Sequence, residues 1–195
     1  MQTIDKNEHF QLEILKHVEA SPRLNNRMLA SKLGCSVKLA HGLLGKMVDK
    51  GFLHVQKCNS RRWDYFLTPK GLSERAKLTY EFLDFSLLFY HEARKKSSQV
   101  CREFAEAGGR TIAFIGAGDL AEIVYLGVKE WDLDLVDVFD DHIKTFLGHP
   151  VSSMKLLQNS QAGIFIVCAY DPKFPMAGRY LPAGISPDQR MRWVF

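Results

Sequence analysis

The sequence feature that most restricts the fold is the segment 111–141, TIAFIGAGDLAEIVYLGVKEWDLDLVDVFDD. A short apolar run leads directly into Gly116-Ala117-Gly118-Asp119-Leu120-Ala121, which has the spacing G-x-G-x-x-A, and a helical stretch then runs to Trp131. The two glycines permit a tight turn that a phosphate can approach, and Ala121 permits close packing of the helix on the strand. The pattern predicts a strand, a helix and a second strand of a parallel sheet.

The residues after this motif extend the pattern. LDLVDVFDD predicts a second strand that ends in acids, SMKLLQN a short helix and AGIFIVCAY a third buried strand. Asp140 lies 22 residues after Gly118, where an acidic side chain can accept a hydrogen bond from a ribose hydroxyl. Asp119 disfavours nucleotide binding, because its carboxylate lies where a phosphate would meet the helix N-terminus. The side chain is expected to cap the helix instead of leaving room for an anion. The predicted cofactor-binding residues are Gly116, Ala117, Gly118, Asp119, Leu120, Asp140 and Asp141.

Charge is unevenly distributed along the chain. Residues 1–70 carry twelve Lys and Arg against six Asp and Glu, a net charge of +6. Residues 71–109 are balanced, and residues 110–195 carry eight basic against ten acidic side chains, a net charge of −2. A basic first module and a mildly acidic last module indicate different partners, the first of them a polyanion.

The basic module has the pattern of a helix-turn-helix followed by a ribbon. Helical periodicity predicts helices over 8–18, 27–33 and 37–49, with Asn25 or Asn26 and Ser36 as N-caps and Gly34 as the C-cap between the last two. FLHVQKC and WDYFLT predict two strands joined by the polar turn NSRR, and LTPKG opens another helix. Three helices, a two-stranded ribbon and a helix make the winged-helix order.

The third helix is the predicted recognition helix. Leu39, Leu43, Leu44, Met47 and Val48 are expected to pack inward, while polar and basic side chains face outward. Such a helix reads base edges from the major groove, and a wing contacts the neighbouring phosphates. One alternative is that these basic side chains are only solvated surface residues. Another is that the winged helix binds a protein. The predicted DNA-binding residues are Ser36, Lys38, His41, Lys46, Lys57, Arg61 and Arg62.

The segment 76–108 is predicted to be helical, because the chain contains no proline and no glycine between Gly71 and Gly108. Ala76, Tyr80, Leu83, Leu87 and Tyr90 follow a 4-3-4-3 spacing, and a row of Phe82, Phe85 and Phe89 forms a second apolar face. A helix that is apolar on two sides needs two partners, which predicts a homodimer, unless one domain covers both faces. The pattern weakens over 94–98, so a break or kink is expected there.

Several classes of protein are disfavoured by the sequence. It shows no secretory signal, and no apolar run approaches the length that a membrane helix needs, so we expect a cytoplasmic protein. Four scattered cysteines, Cys35, Cys58, Cys101 and Cys168, give no Cys-x-x-Cys pair, which disfavours a metal site or a disulfide framework but leaves a redox sensor open. Tyr180 and Lys173 do not form a Tyr-x-x-x-Lys pair, and we predict no catalytic residues.

Two resemblances follow from these motifs. Residues 8–75 resemble winged helix-turn-helix transcription regulators, including the MarR-type wing that ends in LTPKG. The whole chain resembles the Rex-type redox-sensing repressors, most clearly in FIGAGDLAEI and VDVFDDHIKTFLGHPVSSMKLL within 114–157. That resemblance implies a homodimer that senses NAD(H) and binds DNA. The FDD and GHPV motifs are also similar to the N-terminal domains of sugar O-acyltransferases, which bind nucleotide sugars.

The expected fold class is therefore α/β, with three parts. These are an N-terminal all-α winged helix-turn-helix with a β-wing (1–75), a helical linker and dimerisation segment (76–108) and a small Rossmann-like parallel-sheet domain (109–195). The expected function is a DNA-binding transcriptional regulator, a cytoplasmic dimer that senses NAD(H) or another nucleotide. The alternatives are a regulatory or scaffold protein that does not bind DNA, and a nucleotide-sugar-binding protein.

Overall fold

The computed structural model describes residues 6–21, 25–59, 62–171, 175–176, 179–187 and 189–195; the side chains of Lys6, Cys58, Asn59 and Arg62 lie outside that description. Two compact units, Met1–Ser86 and Leu87–Phe195, divide the chain within the segment 76–108. The molecule is of mixed α/β class, with an N-terminal helical region, a β-hairpin wing and a C-terminal parallel sheet. No helix in the described part of the chain is long and apolar enough to cross a membrane.

The first unit has the predicted winged-helix order. Its elements before the fourth helix are α1 (Lys6–Ala20), α2 (Asn26–Leu33), α3 (Val37–Asp49), β1 (Leu53–Asn59) and β2 (Arg62–Leu67). The strands β1 and β2 pair antiparallel and form the wing. The helices bury one shared core, and completely burying such aliphatic side chains contributes roughly 1.5–3 kcal/mol each. The largest fully buried side chains of this core are Ile14, Leu15, Val18, Leu29 and Leu44.

The starts of α2 and α3 and the turn between them are built from the predicted capping residues. Asn25 accepts the Met28 N–H through Oδ1 at 2.9 Å, and Ser36 accepts the Leu39 N–H through Oγ at 3.2 Å. Gly34 ends α2 with φ of 59°, a left-handed conformation that glycine adopts without a steric penalty. Both helix starts and the turn are therefore fixed by local hydrogen bonds.

The junction between the wing and the fourth helix leaves no room for a side chain at Gly71. Thr68 caps that helix, because its Oγ1 accepts the Gly71 N–H at 3.0 Å and donates to the Gly51 carbonyl at 2.7 Å. A Cβ atom at Gly71 would collide with the backbone carbonyl of Phe52. Glycine is thus required here by the close approach of two backbone segments.

The fourth helix, α4, is a single α-helix of 38 residues, Pro69–Glu106, and the predicted break near 94–98 is wrong. No helix-breaking residue occurs there, and the segment packs on the next helix instead of ending. Ala93, Ser97 and Cys101, which recur at every fourth position, are buried in the core of the second unit. The small and charged side chains of 94–98, which suggested a kink, lie where α4 packs on the next helix.

The second unit is a parallel sheet with helices against it. Its first elements are β3 (Thr111–Ile115), α5 (Asp119–Glu130), β4 (Asp134–Phe139) and a small hairpin of β5 (Thr145–Phe146) and β6 (His149–Pro150). The hairpin precedes a 3-10 helix, Met154–Asn159, where the segment SMKLLQN was predicted to form a short helix. These elements are followed by β7 (Ile164–Val167) and β8 (Met191–Trp193).

The sheet has the strand order β4-β3-β7-β8, and every neighbouring pair is parallel. The fourth strand, β8, was not predicted, because Met-Arg-Trp is too short to show a period. The strand β4 lies on one side of β3, and the next strand of this sheet, β7, lies on the other side. The carboxyl ends of β3 and β7 are therefore neighbours at the point where the strand order reverses. In open α/β sheets, ligands bind at such a switch point.

Candidate nucleic-acid interface and glycine turn

The exposed side of α3 carries the predicted basic residues. Lys38, His41 and Lys46 are exposed, together with Gly42 and Gly45. Residues three and four apart lie on one side of a helix, so these five residues form a single surface, here called the α3 face. The segment 36–46 contains no carboxylate, which makes the α3 face positive or neutral throughout.

The buried side of α3 differs from the prediction at one position. Ala40, Leu44 and Met47 are buried, and Leu43 and Val48 pack partly against the same core. Leu39, predicted to pack inward, is 46% exposed. The helical register explains the difference, because Leu39 precedes the buried row 40, 44 and 47 by one residue, a rotation of about 100°.

The other predicted DNA-binding residues have different positions. Ser36 is the N-cap of α3 and uses its hydroxyl there. Lys57 is exposed on the wing, with its Nζ 5.8 Å from the centre of the Trp63 ring. Lys57 and Trp63 are cross-strand partners, so both side chains lie on one side of the wing, and Trp63 is 49% exposed. Arg61 and the side chain of Arg62 lie outside the described residues.

One contact of the α3 face was not predicted. Asn26, the first residue of α2, places its Nδ2 atom 3.1 Å from His41 Nδ1. The other amide atom, Asn26 Oδ1, is buried and has no hydrogen-bond partner among the described residues. No sequence pattern indicates this pair, because its members are 15 residues apart on different helices.

In the second unit, the predicted cofactor-binding residues gather at the carboxyl ends of β3 and β4. Gly116 has φ of +98°, which only glycine adopts readily, and its N–H donates to the Phe139 carbonyl at 2.8 Å. Ala117 donates its N–H to Asp140 Oδ2 at 3.1 Å. A Cβ atom at Gly118 would meet nothing within 4 Å. The turn 116–118, here called the glycine turn, is therefore open at Gly118 and tied to β4 through Asp140.

Asp140 is held by three backbone donors. Its Oδ1 accepts the N–H groups of His142 at 2.8 Å and Ile143 at 3.1 Å, in addition to the Ala117 bond on Oδ2. Burial would raise the pKa of Asp140, but these three N–H groups outweigh it and leave that pKa below its ordinary value. A carboxylate has about four acceptor positions, so one remains for a further donor.

The remaining predicted residues of the glycine turn have mixed roles. Asp141 accepts the Ser153 hydroxyl at 2.7 Å and the Met154 N–H at 3.1 Å, which lowers its pKa and starts the 3-10 helix. Leu120 is buried in the core and contributes only its backbone to the site. Asp119 is exposed in the first turn of α5; the N-cap is Gly118, so the expected capping role of the Asp119 side chain is wrong.

Two of the cysteines that left a redox sensor open, Cys101 and Cys168, are buried. Burial raises the pKa of Cys101 to about 12, and it raises that of Cys168 as well, so both thiols stay protonated at neutral pH. Tyr180 uses its backbone carbonyl to accept the Trp193 indole N–H at 3.0 Å, and Lys173 lies outside the described residues. No cluster of three His, Cys, Asp or Glu side chains suited to a metal occurs within the described ranges.

These features define a winged-helix unit whose helix α3 exposes basic side chains, and a parallel-sheet unit with a glycine turn at its switch point. No family model matches the sequence, and no curated protein matches it. Eighteen solved chains are similar in structure. The first of them are structures of MepR, a Staphylococcus aureus transcription regulator, and the matched region spans about 60% of that protein's own length.

Three solved structures illustrate the likeness. The Staphylococcus aureus MepR–DNA complex is 18% identical, with 42% of this chain and 58% of that chain covered at a TM-score of 0.36. A MarR family transcription regulator is 19% identical, with 51% and 72% covered at 0.37. Human N-acetylserotonin methyltransferase in complex with SAM is 11% identical, with 82% and 66% covered at 0.28. With TM-scores below 0.4, none of them transfers a ligand or an activity to this chain.

The hydrogen bonds of Asp140 predict a pH-dependent stability. Its folded pKa lies below the ordinary 3.8, so its contribution is present above that value and is lost as pH falls through the lower folded value. Asp140→Asn should lower the free energy of unfolding by about 1–2 kcal/mol at pH 7. The substitution replaces a charged hydrogen-bond acceptor by a neutral one, and the hydrogen bonds involved are partly exposed to solvent. The difference from wild type should narrow towards pH 3.

The measurement is urea unfolding at both pH values. Asp119→Asn serves as the control, because the Asp119 side chain is exposed and makes no hydrogen bond within the described part of the chain. It should change the unfolding midpoint little. An Asp140→Asn variant equally destabilised at pH 3 and pH 7 would show that the carboxylate charge has no part in the effect.

Proposed function

We propose that this chain is a DNA-binding transcription regulator that contacts duplex DNA through the α3 face. The observation that carries the proposal is the composition of that face, where Lys38, His41 and Lys46 are exposed and no carboxylate occurs from 36 to 46. Phosphates attract such a surface electrostatically, and contact with them releases counterions from the duplex. The net charge of +6 over residues 1–70 acts in the same direction.

The backbone of α3 also suits a position inside a groove. Side chains at Gly42 and Gly45 would meet no other atom within 4 Å, so neither glycine is needed for packing within the protein. Glycine inside a helix costs about 0.5–1 kcal/mol relative to alanine. Bare backbone on an exposed surface allows a partner to approach closely, and the major groove, about 12 Å wide, admits an α-helix.

The competing function is a winged helix that binds protein. Its support is apolar surface at the start of α3, where Val37 is 47% and Leu39 is 46% exposed. In a DNA complex, such side chains would contact thymine methyl groups. The salt dependence of binding separates the two functions, because only the DNA complex depends on phosphate neutralisation.

Lys38→Ala and Lys46→Ala should each weaken duplex binding and lower the slope of log affinity against log salt by about one, for one lost phosphate contact. Fluorescence anisotropy with genomic fragments over a salt series measures both quantities. Lys77→Ala is the control: this lysine is 63% exposed on α4 and should leave the slope unchanged. Salt-independent binding, or no binding to any fragment at low salt, would favour the protein-binding alternative.

The regulator is proposed to act as a homodimer joined along α4. Tyr80, Leu83, Leu87 and Tyr90 are 71%, 54%, 56% and 39% exposed and follow a 3-4-3 spacing, here called the α4 stripe. That spacing is the seam of a coiled coil, and the same stripe on a second copy is its natural complement. Two-fold symmetry would place two recognition helices on near-palindromic sites.

Leu83→Asp combined with Leu87→Asp should convert the dimer into a monomer, because two buried unpaired carboxylates would lie at the seam. Sedimentation velocity at micromolar concentration measures the mass. The control is Leu126→Asp, which places one carboxylate on an exposed leucine of α5 (43% exposed) and should leave a dimer. A wild-type monomer at that concentration would contradict the proposal.

The second unit is proposed to bind a nucleotide of the NAD(H) type at the glycine turn. The supporting observations are the open position of Gly118 and the one acceptor position that Asp140 retains for a ribose hydroxyl. At the start of α5, the Ala121 N–H donates to the Gly118 carbonyl at 2.8 Å, and the N–H groups of Asp119 and Leu120 before it suit a phosphate. Bound NAD(H) would supply a two-electron redox signal, and no catalytic residue is assigned. A nucleotide sugar is the alternative ligand for the same groups.

Gly118→Leu should abolish nucleotide binding, because its side chain fills the open space above the turn, while DNA binding stays intact. Asp119→Asn should tighten binding, since it removes a charge that repels phosphate. A thermal-shift panel of NAD(H), NADP(H) and nucleotide sugars measures this, and a ligand at a hundred times its dissociation constant adds about 2.7 kcal/mol of apparent stability. Asp134→Asn, at the amino end of β4, is the matched control. If no ligand raises the melting temperature of wild type or of Asp119→Asn, the nucleotide proposal is contradicted and the second unit is better described as a scaffold.

A further inference from the structure

The contact between Asn26 and His41 orients a side chain in the middle of the α3 face. Asn26 Nδ2 lies 3.1 Å from His41 Nδ1, and the remaining amide atom, Oδ1, is buried and has no hydrogen-bond partner in the described part of the chain. His41 is exposed, so its other ring nitrogen, Nε2, is the one available to a partner. Nδ1 of the imidazole is thus used within the protein, and Nε2 is available to a partner at the surface.

The chemistry of this pair makes Nε2 a donor. When Asn26 Nδ2 donates to Nδ1, the neutral ring carries its proton on Nε2. His41 therefore presents an N–H donor from the α3 face as long as Asn26 donates to Nδ1.

The surroundings of His41 allow this short side chain to reach a partner. Gly42 follows it and Gly45 lies one turn further, and neither position carries a side chain that would hold a partner away. Lys38 and Lys46 lie towards the two ends of the same face, where their longer side chains can reach phosphates. The donor thus lies between two cations on bare helix backbone.

We infer that His41 is a base-reading residue that donates from Nε2 to the N7 atom of a purine, and that Asn26 is its positioning residue. The inference rests on the proposed DNA-binding function. In the major groove, N7 is the acceptor common to adenine and guanine, and guanine adds O6 beside it. A fixed donor selects these edges against cytosine, which offers an amino donor at that edge.

Removal of the N7 atom from the DNA tests the inference directly. A binding site is first selected with wild type from randomised duplexes, and each purine is then replaced by its 7-deaza analogue, which lacks the N7 acceptor. At one purine per half-site, the replacement should weaken wild-type binding about fivefold to tenfold, the loss of one good hydrogen bond. His41→Ala should bind the two duplexes equally at that position.

Two variants complete the cycle. Asn26→Ala should retain binding and its salt slope, because phosphate contacts are unchanged, but should lose most of the sensitivity to N7 at the same purine. His54→Ala removes another exposed histidine of the first unit, on β1, and should keep the full sensitivity. Far-UV circular dichroism confirms that each variant is folded, and His41→Ala leaves the buried core intact.

The outcomes separate the inference from the function on which it rests. If wild type binds no duplex at low salt, both the DNA-binding proposal and the inference are overturned. If wild type binds duplexes but no purine shows a 7-deaza effect that depends on His41, the inference alone is overturned. If the effect persists fully in Asn26→Ala, the positioning role of Asn26 is overturned.

Discussion

The close approach of α5 to α4 is the interaction on which the second unit depends. A Cβ atom at Gly127 would lie 3.2–3.3 Å from Ser97 and Ser98, so the two helices meet with almost no side chain between them. Around this contact, the Glu130 carboxylate accepts hydrogen bonds from Arg94 and from Ser98 Oγ, which is 3.1 Å away. Because α5 needs a continuous partner here, α4 remains helical through the segment where its apolar pattern fades.

Local chemistry made much of the fold predictable. The caps at Asn25 and Ser36 and the left-handed turn at Gly34 involve neighbouring residues, so short-range patterns were sufficient. The features that were missed depend on distant contacts. The continuity of α4 depends on α5, and β8 is a strand only because Phe165 and its neighbours in β7 pair with it. Periodicity carries no information about such partners.

The candidate sites divide in the same way. The glycine turn and Asp140 were predictable because a fixed spacing along the chain brings them together, and their hydrogen bond is present. The spacing did not show that Asp140 also accepts two N–H groups from the following loop. The pair of Asn26 and His41 could not be found in the sequence, because neither residue type is distinctive and only the crossing of α2 and α3 brings them together.

Gly71 shows how a backbone contact can restrict the evolution of a sequence. Any other residue there would place a Cβ atom into the Phe52 carbonyl, so the restriction does not depend on polarity or size. Every single-nucleotide change that alters a glycine codon therefore introduces the same collision, and no neighbouring side chain can yield to relieve it. Lineages descended from this chain should retain Gly71 even where the exposed residues around it have diverged.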